Sequence, residues 1–562
     1  MCLHMKLIFS ATCLMSMLAA SIVQSQEAVE LRHLWEFDPD LGCWRLDAPE
    51  PAPLTVDMDR LSSEQDVYRI AEVRRIVKSA SPVQPEQRDA VVGAVQQALL
   101  AGEANAQLRL ALVSASLKLA SDEQLHELWK MAASDEILRS VVEAGLIERR
   151  HSAAKSQWLS RLSLPHVREH DLRLAIRGVS AISATEAIED LRGVVRSDAL
   201  TLPIKLVASQ SLGYLSTDGQ ETLARELLDS QAFAKEQLAA SILVQHEGEA
   251  AARLMRDIFD SEFAPAQIMA FRWLDEHASE IAHELSQQAL GHQDHQMRLL
   301  ALKHLHQWHD AESLKLQGGL LSDRNPTVRR SVRDHLIEKA GDPMLEPIVN
   351  EILNEQLKGE PFQGSEQAVL VVAALDQKER SGQLIALLDH PRPEVSIRAA
   401  WALQQIVDAE PDLDAIFEYC QEWTAMLESE DRAGLVSHDD VIRLAFLFQA
   451  LGRNRYQPAD GMLRKYVPKN DQRMRSDARA AAIWALGEIF RGQEDADLIQ
   501  TFAARMMDNH PLYPEDPAVR YSSAIAIGKI GGEQALKVLS PISGELPPQV
   551  VCAVEWGISQ LQ

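Results

Sequence analysis

A helix-length apolar stretch returns fourteen times along this 562-residue chain, and its clearest copies share the pattern D-x-x-P-x-V-R-x-x-A-x-x-A-L. One copy runs Asp323-Arg324-Asn325-Pro326-Thr327-Val328-Arg329, followed by Val332 and Leu336; another runs Asp516-Pro517-Ala518-Val519-Arg520, then Ala526-Ile527-Gly528. Tracked by the residue in the Arg place, the copies start near Arg109, Arg139, Arg173, Lys205, Glu236, Ile268, Arg298, Arg329, Ala368, Ser396, Arg443, Arg479, Arg520 and Val551. A period of roughly 30 to 34 residues excludes a single globular core, because each copy is one supersecondary element that must stack on its neighbours to bury its apolar face. The fold expected is all-α, a superhelical solenoid of about 14 stacked helical hairpins. Longer intervals after Arg329, Ser396, Arg443 and Arg479 mark insertions.

Within a copy the apolar residues keep helical spacing, as in Ala482, Ile483, Leu486 and Ile489 after Arg479. The stretch before each start point is helical in pattern too, for example Leu384-Ile385-Ala386-Leu387-Leu388. Each copy therefore reads as helix, short turn, second helix. Asp323 and Asp516 are placed to cap the second helix, with Pro326 and Pro517 in its first turn, where a missing N–H costs little. Ala480, Ala481 and Ala482 allow close approach of helices, while Gly213, Gly487 and Gly528 near helix ends are expected to form left-handed C-terminal caps.

On these D-x-x-P-x-V-R-x-x-A units the chain resembles the HEAT-repeat proteins, in particular a bacterial subtype that includes bilin-lyase-like arrays; the resemblance covers roughly residues 61 to 562. It implies that the second helices line one face and that turn Asp and helix Arg residues form a ladder between hairpins. Carried onto this sequence, the ladder comprises Asp323, Arg329, Asp477, Arg479, Asp516 and Arg520, and departs from the pattern at Ser396, where Arg398 lies two positions late. His126-Glu127, His246-Glu247 and His283-Glu284 resemble the His-Glu pairs of a HEAT-fold di-iron hydroxylase, but they fall at unrelated places in their hairpins, so that site is not expected.

The chain divides into three segments, residues 1–25, 26–60 and 61–562. Lys6 followed by an apolar run to Val23, with Val23-Gln24-Ser25 ahead of Gln26, reads as a secretory signal peptide cleaved near Ser25-Gln26; the alternative is a retained N-terminal membrane anchor. Residues 26–60, with Trp35, Trp44 and the Pro49-Pro51-Pro53 spacing, are irregular and read either as a cap on the first hairpin or as a docking segment. Residues 61–562 are the solenoid. With 82 acidic against 56 basic residues, the field repels nucleic acid, so protein or peptide partners are expected instead. Beyond the signal there remain Cys43, Cys420 and Cys552, too few for a disulfide framework although one pair could form.

Minimal signatures of phosphate-binding loops, nucleophile elbows, zincins and Cys-x-x-Cys sites are missing, so no cofactor and no catalytic residue is expected. Two constellations remain. His292, His295, His304, His306 and His309 surround one helix; His306 and His309 share a face and are the metal-ligand candidates, the basis of an alternative reading as a metal- or cofactor-dependent enzyme. The run from Arg453 to Arg475 is basic in an acidic chain, and Arg453, Arg455, Tyr456, Arg464, Lys465 and Tyr466 are its candidate binding residues. The competing reading is that these charges neutralise neighbouring acidic helices such as Glu428 to Asp431. The function expected is a non-enzymatic protein-interaction scaffold.

Overall fold

The computed structural model describes residues 53–561 apart from 80–81, 101–105, 134, 231–233, 430–435, 470–474 and 542–545, together with the backbone of two short strands upstream. The signal segment 1–25 lies outside the described residues. All fourteen start points fall inside helices, and each of those helices follows a first helix of its own hairpin, as Lys155–Ser163 precedes Glu169–Ala181. The protein is an all-α solenoid of HEAT-like hairpins, with an antiparallel pair of strands, Trp35–Asp38 and Cys43–Leu46, among the described residues.

Two compact units divide the chain, Met1–His246 and Glu247–Gln562. In the first, the second helices Ala106–Leu119, Glu136–Glu148, Glu169–Ala181, Leu202–Leu215 and Lys235–Ile242 pack side by side in chain order. In the second, the same arrangement runs from Ala264–His277 through His295–Leu305, Pro326–Lys339, Phe362–Ala374, Pro393–Ile406, His438–Arg453, Ser476–Ile489, Pro517–Ile530 and Pro548–Leu561. The buried residues are those the helical period selects: Ala482, Ile483, Leu486 and Ile489 are all fully buried.

The helix starts explain the register. Pro326 and Pro517 occupy the first helical turn. Asp516 caps its helix by accepting from the Ala518 N–H at 2.8 Å. At Pro326 the cap is not Asp323 but Asn325, whose side chain accepts from the N–H groups of Thr327 and Val328, while Asp323 accepts from the Asn325 N–H at 2.7 Å. Asp135, Asp294 and Asp495 cap other helices in the same way.

The three glycines expected as C-terminal caps do something else. Gly213, Gly487 and Gly528 lie within their helices, and left-handed backbone is found instead at Gly492 (φ 72°) and Gly531 (φ 79°). A Cβ on Gly487 would sit 2.7 Å from Ala526 Cα, one on Gly528 2.6 Å from Gly557 Cα, and one on Gly452 2.5 Å from Ala485 Cα. Successive second helices in this part of the chain therefore touch backbone to backbone. Gly213 makes the same allowance for the Ser241 and Ile242 carbonyls.

The described end of the 26–60 segment is strapped to the first hairpin. Leu54 forms a parallel bridge with Val83, the Gln87 amide clamps both backbone groups of Val56, and the Val56 side chain is buried with Leu61, Val73, Ile76 and Leu108. Cys420 is a buried free thiol and Cys552 an exposed one, so these two do not pair.

Candidate functional site

A charge ladder between consecutive hairpins is present, with a membership that differs from the expected one. Arg298 grips Asp323 through two bonds of 2.7 and 2.8 Å, both groups being buried. Arg479 grips Glu515 through two bonds of 2.8 Å and also donates to the carbonyls of Tyr466 and Val467. In the first unit Arg109 reaches Asp135 at 3.0 Å and Arg139 reaches Asp171 at 3.6 Å. Each pair joins a second helix to the next hairpin, at the turn before its second helix or, for Asp171, in that helix's first turn, so it fixes the stacking rather than a ligand. Arg329 and Arg520 turn instead to backbone carbonyls, of Asp323 and Arg324 and of Met506. The Asp516 carboxylate serves its own helix start, and burial raises the Asp477 carboxyl above its ordinary range. At Ser396 the hydroxyl accepts from Arg443, which also donates to the Leu388 carbonyl and lies over the Tyr419 and Trp423 rings.

The basic run from Arg453 to Lys469 is engaged within the fold; residues 470–474 lie outside the described residues. Lys465 pairs with Glu428, the neutralising contact anticipated from the acidic helix before it. Arg464 pairs with Asp460 one turn back in its own helix and with Asp495 of the next hairpin. Arg453 donates to the Gln404 and Gln405 carbonyls, and Tyr456 donates its hydroxyl to Asp414. Arg455 occupies a left-handed turn at φ 51°. Tyr466 is not a surface residue at all: it is fully buried, edge-on to Phe448, with its hydroxyl 2.8 Å from that of Thr424. Burial pushes its phenol well above the ordinary range. The segment is therefore the first helix of a hairpin, Asp460–Arg464, with its turns, and its charges knit neighbouring hairpins together.

The histidines divide between core and surface. His304 is fully buried; Trp308 donates to its Nε2 at 3.1 Å, so Nδ1 carries the proton shared with Asp275 at 2.7 Å. His292 accepts the Asp294 N–H on Nδ1 and meets the Gln267 amide oxygen through Nε2. His306 does not join His309 around an ion: its ring stacks on His335 at 3.9 Å, while His309 is exposed. Among the described residues no group of three His, Cys, Asp or Glu side chains is placed to hold a metal ion. A shallow hollow of about 620 Å³ runs beside His295, but it is ringed by polar turn residues such as Gln293, Asp294 and Asn325, and its Arg298 already grips Asp323. No helix among the described residues is long and apolar enough to cross a membrane.

The feature the sequence did not flag is the turn between Ala496–Met507 and Pro517–Ile530. Met507, Leu512 and Tyr513 expose 51, 77 and 70 % of their surface there, three of the five large apolar side chains exposed among the described residues of the second unit. Yet the turn is tied down by polar contacts. Asp508 accepts from the His510 N–H and from the Lys469 ammonium, the Asp508 carbonyl accepts from the Glu515 N–H, and His510 Nδ1 accepts from the N–H groups of Leu512 and Tyr513. Lys469 also donates to the Tyr513 carbonyl. Behind it, Glu515 is buried against Arg479 and Arg505. Burial, the largest single influence, would raise the Glu515 carboxyl, but the Arg479 bond and charge, the Asp516 N–H and the Arg505 charge together outweigh it and hold the group below the ordinary range.

No family model matches the chain, and no curated protein matches it. Among solved structures, Kap95p with RanGDP is 12 % identical with a TM-score of 0.44, covering 90 % of this chain and 71 % of that one. Importin beta is 14 % identical with a TM-score of 0.45, covering 90 % and 70 %. Kap121p bound to the SUMO protease Ulp1p is 10 % identical with a TM-score of 0.48, and there the match spans 89 % of this chain but 56 % of that one. At this identity the likeness concerns the fold alone.

Proposed function

We propose that the chain is a non-enzymatic protein-interaction scaffold, exported from the cytoplasm, in which the hairpin array displays a fixed contact surface to a protein or peptide partner. The observation that carries this reading is the turn at Met507–Tyr513, where a set of polar bonds orders the backbone that bears exposed apolar side chains. Isolated exposed apolar residues are ordinary, but a cluster on a pre-ordered turn lowers the entropic cost of binding, and Tyr, Met and Leu are suited to filling a partner's pocket. The charge pairs elsewhere orient the stack, which leaves the apolar turn as the better contact than the basic run. Export rests on the Lys6-to-Ser25 pattern, and the bacterial HEAT subtype on the D-x-x-P-x-V-R units.

The test is affinity capture from the native extracellular or periplasmic fraction with wild-type protein and with the Leu512→Ser, Tyr513→Ser double variant. A partner captured by the wild type and lost from the folded variant supports the reading; a partner retained equally by both would mean that contact lies elsewhere. N-terminal sequencing of the native protein is expected to find a start near Gln26 outside the cytoplasm, and an intact Met1 or Met5 in a cytosolic pool would refute export.

A further inference from the structure

The two histidines that stack, His306 and His335, form no metal site but occupy a joint of the array. His306 ends the helix His295–Leu305 and His335 lies within the next second helix, Pro326–Lys339, so the two rings meet across the joint between consecutive hairpins. Their centroids are 3.9 Å apart and their planes differ by 11°. His335 is 5 % exposed, and His306 Nε2 is buried with no hydrogen-bond partner. A neutral stack tolerates this environment, whereas a charged ring is cut off from water by burial and finds no acceptor at His306 Nε2. A second proton would set two cations face to face.

We propose that the His306–His335 stack is an acid-labile joint: protonation opens the contact between these two consecutive hairpins and so loosens the array at one defined place. The charged groups bearing on the rings favour this outcome. Lys339 and His309 add positive charge, and the one carboxylate acting on both rings, Glu338, is exposed and already paired with Lys339 at 2.9 Å. Burial is the main cause that lowers the basicity of both rings, followed for His335 by His306 itself, and His335 is brought down to about 4. A histidine whose folded value is depressed binds fewer protons folded than unfolded, so its stabilising effect is complete above about pH 6.5 and is lost as pH falls toward 4. For His335 alone, lowering the pH from 7.5 to 5 multiplies the opening equilibrium about thirtyfold. The joint acts in this way whether or not the chain is a scaffold.

Amide hydrogen exchange of the full-length protein at pH 7.5 and 5.0, corrected for intrinsic rates, tests it. Pro326–Lys339 and His295–Leu305 are expected to lose about thirtyfold in protection beyond any loss in Ser476–Ile489, which carries no histidine. The double variant His306→Phe, His335→Phe, which retains an aromatic stack and leaves no ring there to titrate, is expected to remove that excess. Equal losses at all three helices, or an excess that persists in the double variant, would overturn the proposal. Should that variant not fold, the His335 imidazole carbon resonance of wild-type protein decides: titration below pH 5 supports the joint, and titration near 6.5 rules it out.

Discussion

Gly487→Ala sets two effects of opposite sign against each other. Alanine favours a helix over glycine by up to about 1 kcal/mol, so propensity alone predicts stabilisation. The added Cβ, however, would sit 2.7 Å from both Cα and Cβ of Ala526 on the facing helix. Non-bonded carbons rest at about 3.5 to 4 Å, and because the contacted Cα is backbone, no rotamer change relieves the overlap. The helices Ser476–Ile489 and Pro517–Ile530 must therefore move apart by about 1 Å, which loosens the contacts of Ile483, Leu486 and Ile527 as well. Overpacking of this kind costs about 1 to 3 kcal/mol, so the net expectation is destabilisation by about 1 to 2 kcal/mol. Gly193, within Ile188–Arg196, is the control: nothing lies within 4 Å of the place its Cβ would take, and Gly193→Ala is expected to stabilise its helix by about 0.5 to 1 kcal/mol. Local opening free energies from hydrogen exchange read each helix separately, which suits an array whose hairpins need not unfold together. If both substitutions stabilised to the same extent, the backbone-to-backbone contact would be absent and the reasoning wrong.

Arg479→Met should destabilise the Ser476–Ile489 joint by about 3 kcal/mol in the same exchange measurement, because it leaves Glu515 buried with Arg505 as its remaining cation and the Asp516 N–H as its other partner; an effect below about 1 kcal/mol would show that the pair does not fix the stack. The contribution of Glu515 is expected to be complete above its unfolded range near pH 4.5 and to fall away on acidification, since its carboxyl is held low in the folded state. Tyr466→Phe should lower stability in urea by about 1 kcal/mol by removing the bond to Thr424, without affecting partner binding; the reverse pattern would return Tyr466 to the surface. The Leu512→Ser, Tyr513→Ser variant should melt within experimental error of wild type, since both side chains are exposed and changes at such positions stay within about 0.5 kcal/mol.

The register of the array is legible in the sequence because the Arg place and the apolar spacing behind it both follow from helix geometry. Contacts between hairpins are less so. By spacing, Asp516 is the natural partner of Arg479, but its carboxylate already caps its own helix, and Glu515, one residue earlier, faces the guanidinium. Tyr466 reads as surface because it follows Arg464 and Lys465; the spacing of Met462, Leu463, Tyr466 and Val467, all buried, is a helical apolar face and is the signal that outranks those charges. For the glycines, nothing local distinguishes a helix end from a place where a second backbone arrives. The histidine stack is open to a search by period, since His306 and His335 stand one hairpin apart. Leu512 and Tyr513 follow no period, because a turn imposes none, and their exposure becomes visible only with the bonds that hold the turn.

Site-directed photo-crosslinking tests the scaffold account most directly. A benzophenone side chain placed at Tyr513, at Arg453 in the basic run, or at exposed Met344 would be irradiated in the native fraction. The account predicts a discrete adduct from position 513, competed by wild-type protein and not by the Leu512→Ser, Tyr513→Ser variant, with none from 344. An adduct confined to position 453, or no competable adduct from 513, would contradict it.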